Sequence, residues 1–247
     1  MMILKRIVPW CESLVTLLVY CLFGRNFDRS RYRFSVPEVW YSPWQDDREF
    51  ATVYDAISGN TLVSKRKLYD LYGLSRQFAQ LDGDFLEVGT LRGGTAALLA
   101  FAFSGRKLVL WDNWGKQVQH DDYFVKKTYS ASEDLAMTRT LIQRLAPAVA
   151  ERCVYVDELF PNEAIIQGCE RPFSLVHFDI YDKSAFESGI EMIWPKLMNG
   201  GVFIVSAYGS ISLDSLTTAV NGFAQKHNDC IFIQSQAGLG LLVKKCS

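Results

Sequence analysis

Short apolar runs alternate with longer amphipathic stretches along most of the chain. From Gly83 onward, five runs rich in Val, Leu, Ile and Phe have the length of buried strands, and the stretches between them have helical spacing. Such alternation is typical of a parallel sheet with helices on both faces. The predicted strands are DFLEVGT, KLVLWDN, CVYVDEL, FSLVHFDI and GGVFIVSAY, and the predicted helices are TAALLAFAF, SEDLAMTRTLIQRLAP and AFESGIEMIWPKLMNG.

The pattern also predicts elements at both ends of this region. Two helices precede the first strand, and Ser64 can cap the second of them. Near the C-terminus, DCIFIQSQAGLGLLVKK predicts two strands joined by a glycine turn, a hairpin that would place an antiparallel strand at the sheet edge. The helical repeats are Phe50, Val53, Tyr54 and Ile57 in the first helix and Leu68, Leu71, Tyr72 and Leu74 in the second.

Residues 1–47 are predicted to form an apolar helix and an arm outside the main domain of residues 48–247. The apolar part, Leu14 to Phe23, is shorter than the roughly 20 residues of a spanning helix, and Pro9 and Glu12 interrupt the residues before it. No signal-peptide cleavage site follows. We expect the helix to pack on the domain or on a second subunit, as in a homodimer with exchanged helices. The alternative is an interfacial membrane anchor.

Composition narrows the class of protein further. The chain has 247 residues, of which 49% are hydrophobic, and this suffices for the core of one α/β domain. With a formal net charge of -1 and scattered basic residues, a general nucleic-acid surface is excluded. The six cysteines are widely spaced, so neither a zinc site nor a disulfide framework is indicated. We expect a cytoplasmic protein, with peripheral membrane contact only through the N-terminal helix.

Acidic residues and glycines gather where the predicted strands end. In an open α/β sheet, ligands bind beyond the carboxyl ends of the strands. Three glycines follow the first strand, where missing side chains allow a tight turn and a close approach of a ligand to the backbone. The strand ends carry Glu87, Asp112, Asp157, Asp179 and Ser206, and the glycines are Gly89, Gly93 and Gly94.

The chemistry of these positions favours a particular ligand. The dinucleotide pattern GxGxxG is absent, so a pyrophosphate is not indicated. The negative charge of Glu87 would repel phosphate groups but would attract an ammonium or sulfonium cation. Asp112 ends the second strand, where acids accept hydrogen bonds from a ribose diol in nucleotide-binding α/β folds. Together these residues favour S-adenosylmethionine.

A set of segments resembles a known family. The segments are DFLEVGTLRGGTAALLA, LVLWDNWG, LVHFDIYDKSAFESGIEMIWPKLMNGGVFIVSAYG and TTAVNGFAQKH. From about Phe50 to Lys245 the chain resembles the macrocin O-methyltransferase family, which modifies sugars and other hydroxylated natural products. This implies a Rossmann-like class I methyltransferase fold with a mostly parallel seven-stranded sheet and a C-terminal antiparallel hairpin. The apolar residues before it, which have no counterpart in that family, would add an N-terminal helical extension. The cofactor is expected near Glu87, Gly89, Thr90, Gly93, Gly94, Thr95, Asp112, Asp157 and Asp179.

The sequence departs from this family at the metal site. Members carry one acid after the fourth strand and an Asp-Asp pair after the next, and the three carboxylates hold a divalent cation that orients the acceptor hydroxyl. Here the first acid is kept as Asp179, but Ser206 and Ala207 replace the pair. One carboxylate and one hydroxyl make a poor Mg²⁺ site. We therefore expect little or no metal dependence and predict no metal ligand.

Methyl transfer without metal needs an aligned nucleophile and a base for its proton. Asp179 is the best-placed base. His177 lies two residues earlier, on the same face of the strand, and is a second candidate. His120 follows the second strand, where contacts with the acceptor are expected, and its neighbours Asp121 and Asp122 would raise its pKa.

Other interpretations of these residues stay open. Asp112 and Asp179 could be a helix cap and a salt-bridge partner, His177 a packed strand residue and His120 a solvated loop residue. Three functions are consistent with the sequence. The first is an S-adenosylmethionine-dependent O-methyltransferase with a small-molecule acceptor. The others are a non-methylating relative that keeps the cofactor pocket, and a non-catalytic protein that binds a membrane or a partner.

Overall fold

The computed structural model describes residues 2–23, 41–103, 107–114, 131–210 and 212–246. Within these ranges, helices and strands alternate as the sequence predicts from Gly83 onward. The strands are β1 (Asp84–Val88), β2 (Leu108–Asp112), β3 (Cys153–Asp157), β4 (Phe173–Phe178), β5 (Leu197–Val205), β6 (Cys230–Gln234) and β7 (Gly240–Lys244). The α-helices are α1 (Met2–Phe23), α2 (Arg48–Ile57), α3 (Lys65–Phe78), α4 (Gly94–Ala102), α5 (Ala131–Leu145), α6 (Pro147–Ala150), α7 (Glu163–Gln167), α8 (Lys183–Ile193) and α9 (Asp214–Lys226).

The strands form one seven-stranded sheet in the order β3-β2-β1-β4-β5-β7-β6. Strands β1 to β5 pair in parallel, and β7 is antiparallel to both β5 and β6. The predicted C-terminal hairpin is therefore confirmed. Its antiparallel strand, however, does not lie at the sheet edge, because β7 is inserted between β5 and the edge strand β6. The order reverses between β1 and β4, which is where a ligand is expected in such a sheet.

One face of the sheet is covered by α2, α3, α4 and α5. Helix α2 begins at Asp47, whose carboxylate accepts a hydrogen bond from the amide of Phe50 at 2.9 Å. Ser64 caps α3 as predicted, by accepting from the amide of Lys67 at 3.5 Å. The predicted apolar positions Phe50, Val53, Ile57, Leu68, Leu71 and Tyr72 are buried in this layer.

Helices α7, α8 and α9 contribute the apolar side chains that cover the opposite face. Asp182 caps α8, because its carboxylate accepts from the amide of Ala185 at 2.7 Å. The helix ends at Ile193, and β5 already begins at Leu197, so the prediction of a helix up to Gly200 is wrong by several residues. Leu197 is buried in the strand, where the side chain completes this apolar layer.

Helix α1 presents apolar side chains to solvent. The exposed fractions are 82% for Trp10, 59% for Leu14, 51% for Leu17 and 53% for Leu18. This side of the helix is therefore not packed on the described residues, and packing of α1 on the domain through another side stays a prediction. No helix among the described residues is long and apolar enough to cross a membrane. Homodimerisation through this helix and interfacial membrane anchoring both stay predictions.

Candidate functional site

A cavity of about 540 Å³ opens at the carboxyl ends of β1, β2 and β4. This volume lies within the range of about 300–1,000 Å³ that is usual for small-molecule sites. The cavity is located where the strand order reverses, as expected for this architecture. It is lined by residues 60–62, 89–91, 95, 111–113, 158–161, 179–182, 184, 185 and 188.

The loop between β1 and α4 lines the cavity and requires glycine at defined positions. Gly89 has φ +90°, and a Cβ atom there would lie 2.8 Å from the backbone oxygen of Asp179. Gly93 has φ +78°, and a Cβ atom there would lie 2.6 Å from the Cα of Thr138. Any other residue would be strained by the dihedral angle and would also collide with backbone. Gly89 faces the cavity, whereas Gly93 packs against α5 and does not line it.

Asp112 fixes this loop from the end of β2. Its Oδ2 atom accepts a hydrogen bond from the amide of Leu91 at 2.7 Å, and its Oδ1 atom accepts from the amide of Asn113 at 2.7 Å. Burial raises the pKa of Asp112, although hydrogen bonds from backbone amides oppose this effect. Asp112 lines the cavity. Since each carboxylate oxygen has two lone pairs, it can still accept hydrogen bonds from a ligand.

Glu87 and His177 form a buried pair beneath the loop. They face each other in register on β1 and β4, and His177 Nδ1 lies 3.0 Å from Glu87 Oε1. Both side chains are 0% exposed. Burial raises the pKa of Glu87. Burial alone would lower the pKa of His177, but the hydrogen bond and the charge of Glu87 outweigh it, so that this pKa is raised.

Because of the Glu87–His177 pair, we expect the free energy of unfolding to fall as the pH rises. Because the folded pKa of His177 lies above its ordinary value of 6.5, its stabilising contribution is complete below pH 6.5 and is lost as the pH rises through the folded pKa. We expect the free energy of unfolding to decrease by up to about 1.4 kcal/mol per pH unit above pH 6.5 from this source. Urea unfolding of the wild type and of the Glu87→Leu, His177→Leu double variant measures the difference. Identical pH dependence in the two proteins would contradict this prediction.

Two polar atoms in residues that line the cavity are buried without a hydrogen-bond partner among the described residues. They are Thr90 Oγ1 and Asp179 Oδ1. A native protein rarely leaves buried polar atoms unsatisfied unless water, an ion or a ligand completes their hydrogen bonding. Both residues therefore have unused hydrogen-bonding capacity at the cavity, Thr90 as donor or acceptor and Asp179 as acceptor.

A lysine lies close to this group. Lys67, in the first turn of α3, donates a hydrogen bond from Nζ to the backbone oxygen of Ser206 at 2.5 Å. Burial lowers the pKa of Lys67, and the attraction of Asp179 opposes this shift. Sequence analysis does not identify Lys67, because α3 and the end of β5 are 139 residues apart along the chain.

The structure brings together only some of the predicted cofactor residues. Gly89, Thr90, Thr95, Asp112 and Asp179 line the cavity, whereas Glu87, Gly93, Gly94 and Asp157 do not. Glu87 is below the loop, Gly94 packs against the backbone of Asn60, and Asp157 is exposed at the end of β3. The residue that lines the cavity after β3 is instead Glu158.

Of the candidate catalytic residues, too, only some line the cavity. Asp179 lines the cavity, but His177 is fully buried in its pair with Glu87 and does not. His120 lies outside the described residues. Sequence analysis also misses three cavity segments, 60–62, 158–161 and 180–188. Each of these segments begins near the end of a helix or strand that the hydrophobic pattern predicts. That position in the chain is the feature that could have indicated them.

Comparisons with known proteins identify the fold. No protein-family model and no curated protein sequence matches the chain. Among solved structures, the calicheamicin methyltransferase CalS11 matches with a TM-score of 0.57 and 14% identity, over 89% of this chain and 98% of that one. The O-methyltransferase TomG of Streptomyces achromogenes, solved with SAM and involved in tomaymycin synthesis, matches with a TM-score of 0.53 and 16% identity, over 81% and 91% of the two chains.

A third structure agrees with these two. The O-methyltransferase of Bacillus cereus, solved with SAH, matches with a TM-score of 0.53 and 15% identity, over 81% of this chain and 91% of that one. At such identities the likeness establishes the fold alone, and the narrower resemblance to the macrocin O-methyltransferase family stays a prediction. Strand order and neighbours together show that the chain has the Rossmann-like class I methyltransferase fold.

Proposed function

We propose that the protein is an S-adenosylmethionine-dependent O-methyltransferase that acts on a hydroxylated small molecule, such as a sugar or another natural product. The observation that carries this proposal is the cavity at the strand-order reversal, which is lined by the glycine loop and by Asp179, whose Oδ1 atom has no hydrogen-bond partner among the described residues. The neighbours TomG and CalS11, whose names describe natural-product methyltransferases, support it at the level of fold.

The described residues fit this cofactor. Backbone at Gly89 can approach a ligand closely, since that position has no side chain and its φ is +90°. Asp112 can accept hydrogen bonds from the hydroxyl groups of a ribose, and Thr90, whose Oγ1 atom has no partner among the described residues, can offer a hydrogen bond to the ligand. Trp111 and Phe160 add aromatic surface to the cavity for a planar base.

The cofactor, when bound, supplies an electrophilic methyl group on a positively charged sulfur. In the overall reaction, the acceptor oxygen gains the methyl group, the carbon–sulfur bond breaks with its electron pair going to sulfur, and the hydroxyl proton leaves. Asp179 is the proton acceptor in our proposal, because its unsatisfied Oδ1 atom belongs to a residue that lines the cavity. The cavity would orient the acceptor hydroxyl toward the methyl group.

Little or no metal dependence is part of the proposal. Ser206 and Ala207 follow β5, and the Ser206 carbonyl accepts a hydrogen bond from Lys67. Among the described residues, no group of three or more His, Cys, Asp or Glu side chains could hold a metal ion. Of the three acids that hold the metal in the macrocin O-methyltransferase family, only Asp179 is kept, and one carboxylate is a poor site for Mg²⁺.

Calorimetric titration with S-adenosylmethionine and S-adenosylhomocysteine tests the proposal. We expect dissociation constants of about 1–100 μM, as is common for substrates and products of enzymes, and a change of less than about twofold on adding Mg²⁺ or EDTA. A Gly89→Val variant is the matched control and should not bind, because its side chain would collide with the backbone at Asp179.

The outcomes separate the functions that the sequence leaves open. Binding, followed by a mass gain of one methyl group in an acceptor screen, supports the O-methyltransferase. Binding without methyl transfer to any acceptor favours the non-methylating relative. If neither ligand binds to the wild type, the proposed function is wrong.

A further inference from the structure

Lys67 is a cation that the proposed methyl transfer does not use. It is half-buried, and of its three N–H groups one donates to the Ser206 carbonyl at 2.5 Å. Its side chain also packs close to Gly238, where a Cβ atom would lie 3.4 Å from the Cε of Lys67. The hydrogen bond and the packing hold the ammonium group at the carboxyl end of β5, next to the end of β4.

The ammonium group of Lys67 lies near Asp179, because Ser206, whose carbonyl it binds, donates its own amide to the carbonyl of Phe178, the residue before Asp179, at 3.0 Å. The two groups attract each other, since Asp179 raises the pKa of Lys67 against the effect of burial. Within the described part of the chain they form no direct ion pair, and the Oδ1 atom of Asp179 has no hydrogen-bond partner. Asp179 lines the cavity, whereas Lys67 does not. The lysine thus acts on the cavity through the field at Asp179 rather than by contact.

A fixed cation at this place changes which ligand the cavity prefers. S-adenosylmethionine carries a positive charge on sulfur, and S-adenosylhomocysteine, its demethylated product, does not. An uncompensated carboxylate would bind the charged form more tightly than the neutral one, and a nearby ammonium group reduces that difference. Weaker discrimination is useful in an enzyme, because excessive affinity for the substrate form does not accelerate the reaction.

We propose that Lys67 is a positioning residue that balances the charge of Asp179 and thereby sets the preference of the cavity for the sulfonium cofactor over its neutral product. This inference rests on the proposed function, since it assumes that both molecules bind in the cavity. It assigns to Lys67 an electrostatic role, in addition to its hydrogen bond between α3 and β5.

The test uses the full chain and the same two ligands. Lys67→Gln removes the charge but keeps a hydrogen-bond donor for the Ser206 carbonyl, and Lys67→Arg keeps the charge. The measured quantity is the ratio of the dissociation constants of S-adenosylhomocysteine and S-adenosylmethionine, from calorimetry. We expect Lys67→Gln to raise this ratio roughly tenfold, whereas Lys67→Arg leaves it within about twofold of the wild type.

A structural role alone would have a different signature. If Lys67 only holds α3 against the end of β5, its replacement raises the dissociation constants of both ligands by the same factor. The ratio of the two constants then stays unchanged, and this result would overturn the inference. Lys67→Met provides a second uncharged variant, and thermal unfolding shows which variants are folded. Failure of the wild type to bind either ligand would overturn the proposed function itself, so the two failures are distinguishable.

Discussion

Replacing Asp179 with Asn is expected to reduce turnover about 10²–10⁴-fold with any hydroxylated acceptor that the wild type methylates. The amide has nearly the shape of the carboxylate but cannot take the proton of the acceptor hydroxyl. Since the shape of the cavity is kept, the dissociation constant of S-adenosylhomocysteine should change by less than about threefold. Mass spectrometry of the methylated product gives the rate, and calorimetry gives the affinity.

A matched control removes a carboxylate from a nearby surface. Glu187 lies on α8, pairs with Lys183 at 3.4 Å and does not line the cavity. Glu187→Gln should therefore retain wild-type turnover within about twofold, as exposed ion pairs contribute little. Near-normal turnover of the Asp179→Asn variant would remove Asp179 from the chemistry and return attention to His120.

Replacing Glu87 with Leu is expected to lower the free energy of unfolding by about 3–5 kcal/mol. The substitution leaves His177 fully buried without its hydrogen-bond partner, and both residues are 0% exposed. Removal of one member of a buried pair costs more than replacement of both by apolar side chains, because the remaining polar group is desolvated without compensation. Urea unfolding followed by circular dichroism measures the loss.

The double variant provides the control for this experiment. Glu87→Leu with His177→Leu should be more stable than Glu87→Leu alone, because no polar atom of the pair then stays buried. Additive losses in the two single variants would mean that the side chains do not interact, and the pair would have no energetic role.

The sheet could be predicted because strands buried on both faces are rich in apolar residues, and β1, β2 and β4 are buried along nearly their whole length. Gly89, Asp112 and Asp179 could be placed at one site for a related reason. Each follows or ends a strand, and the carboxyl ends of parallel strands lie at the same edge of the sheet.

The order of the strands across the sheet could not be predicted from the hydrophobic pattern along the chain. Glu87 and His177 meet only because β4 lies beside β1, and a local pattern contains no information about that neighbour. The pairing buries Glu87, although its position before the glycines predicts contact with the cofactor. Insertion of β7 between β5 and β6, and the reach of Lys67 to the end of β5, depend on the same long-range arrangement.

The floor and the rim of the cavity differ in how well they tolerate amino-acid substitutions during evolution. The floor includes Gly89, where a single added carbon atom would collide with the backbone of Asp179. The rim includes Leu62, Leu159 and Tyr181, whose side chains are 52%, 57% and 41% exposed and lie in segments between helices and strands. Substitutions at such exposed loop positions cost little stability. Under the proposed function, a lineage with this architecture can therefore acquire new acceptors by changes at the rim while the floor stays intact.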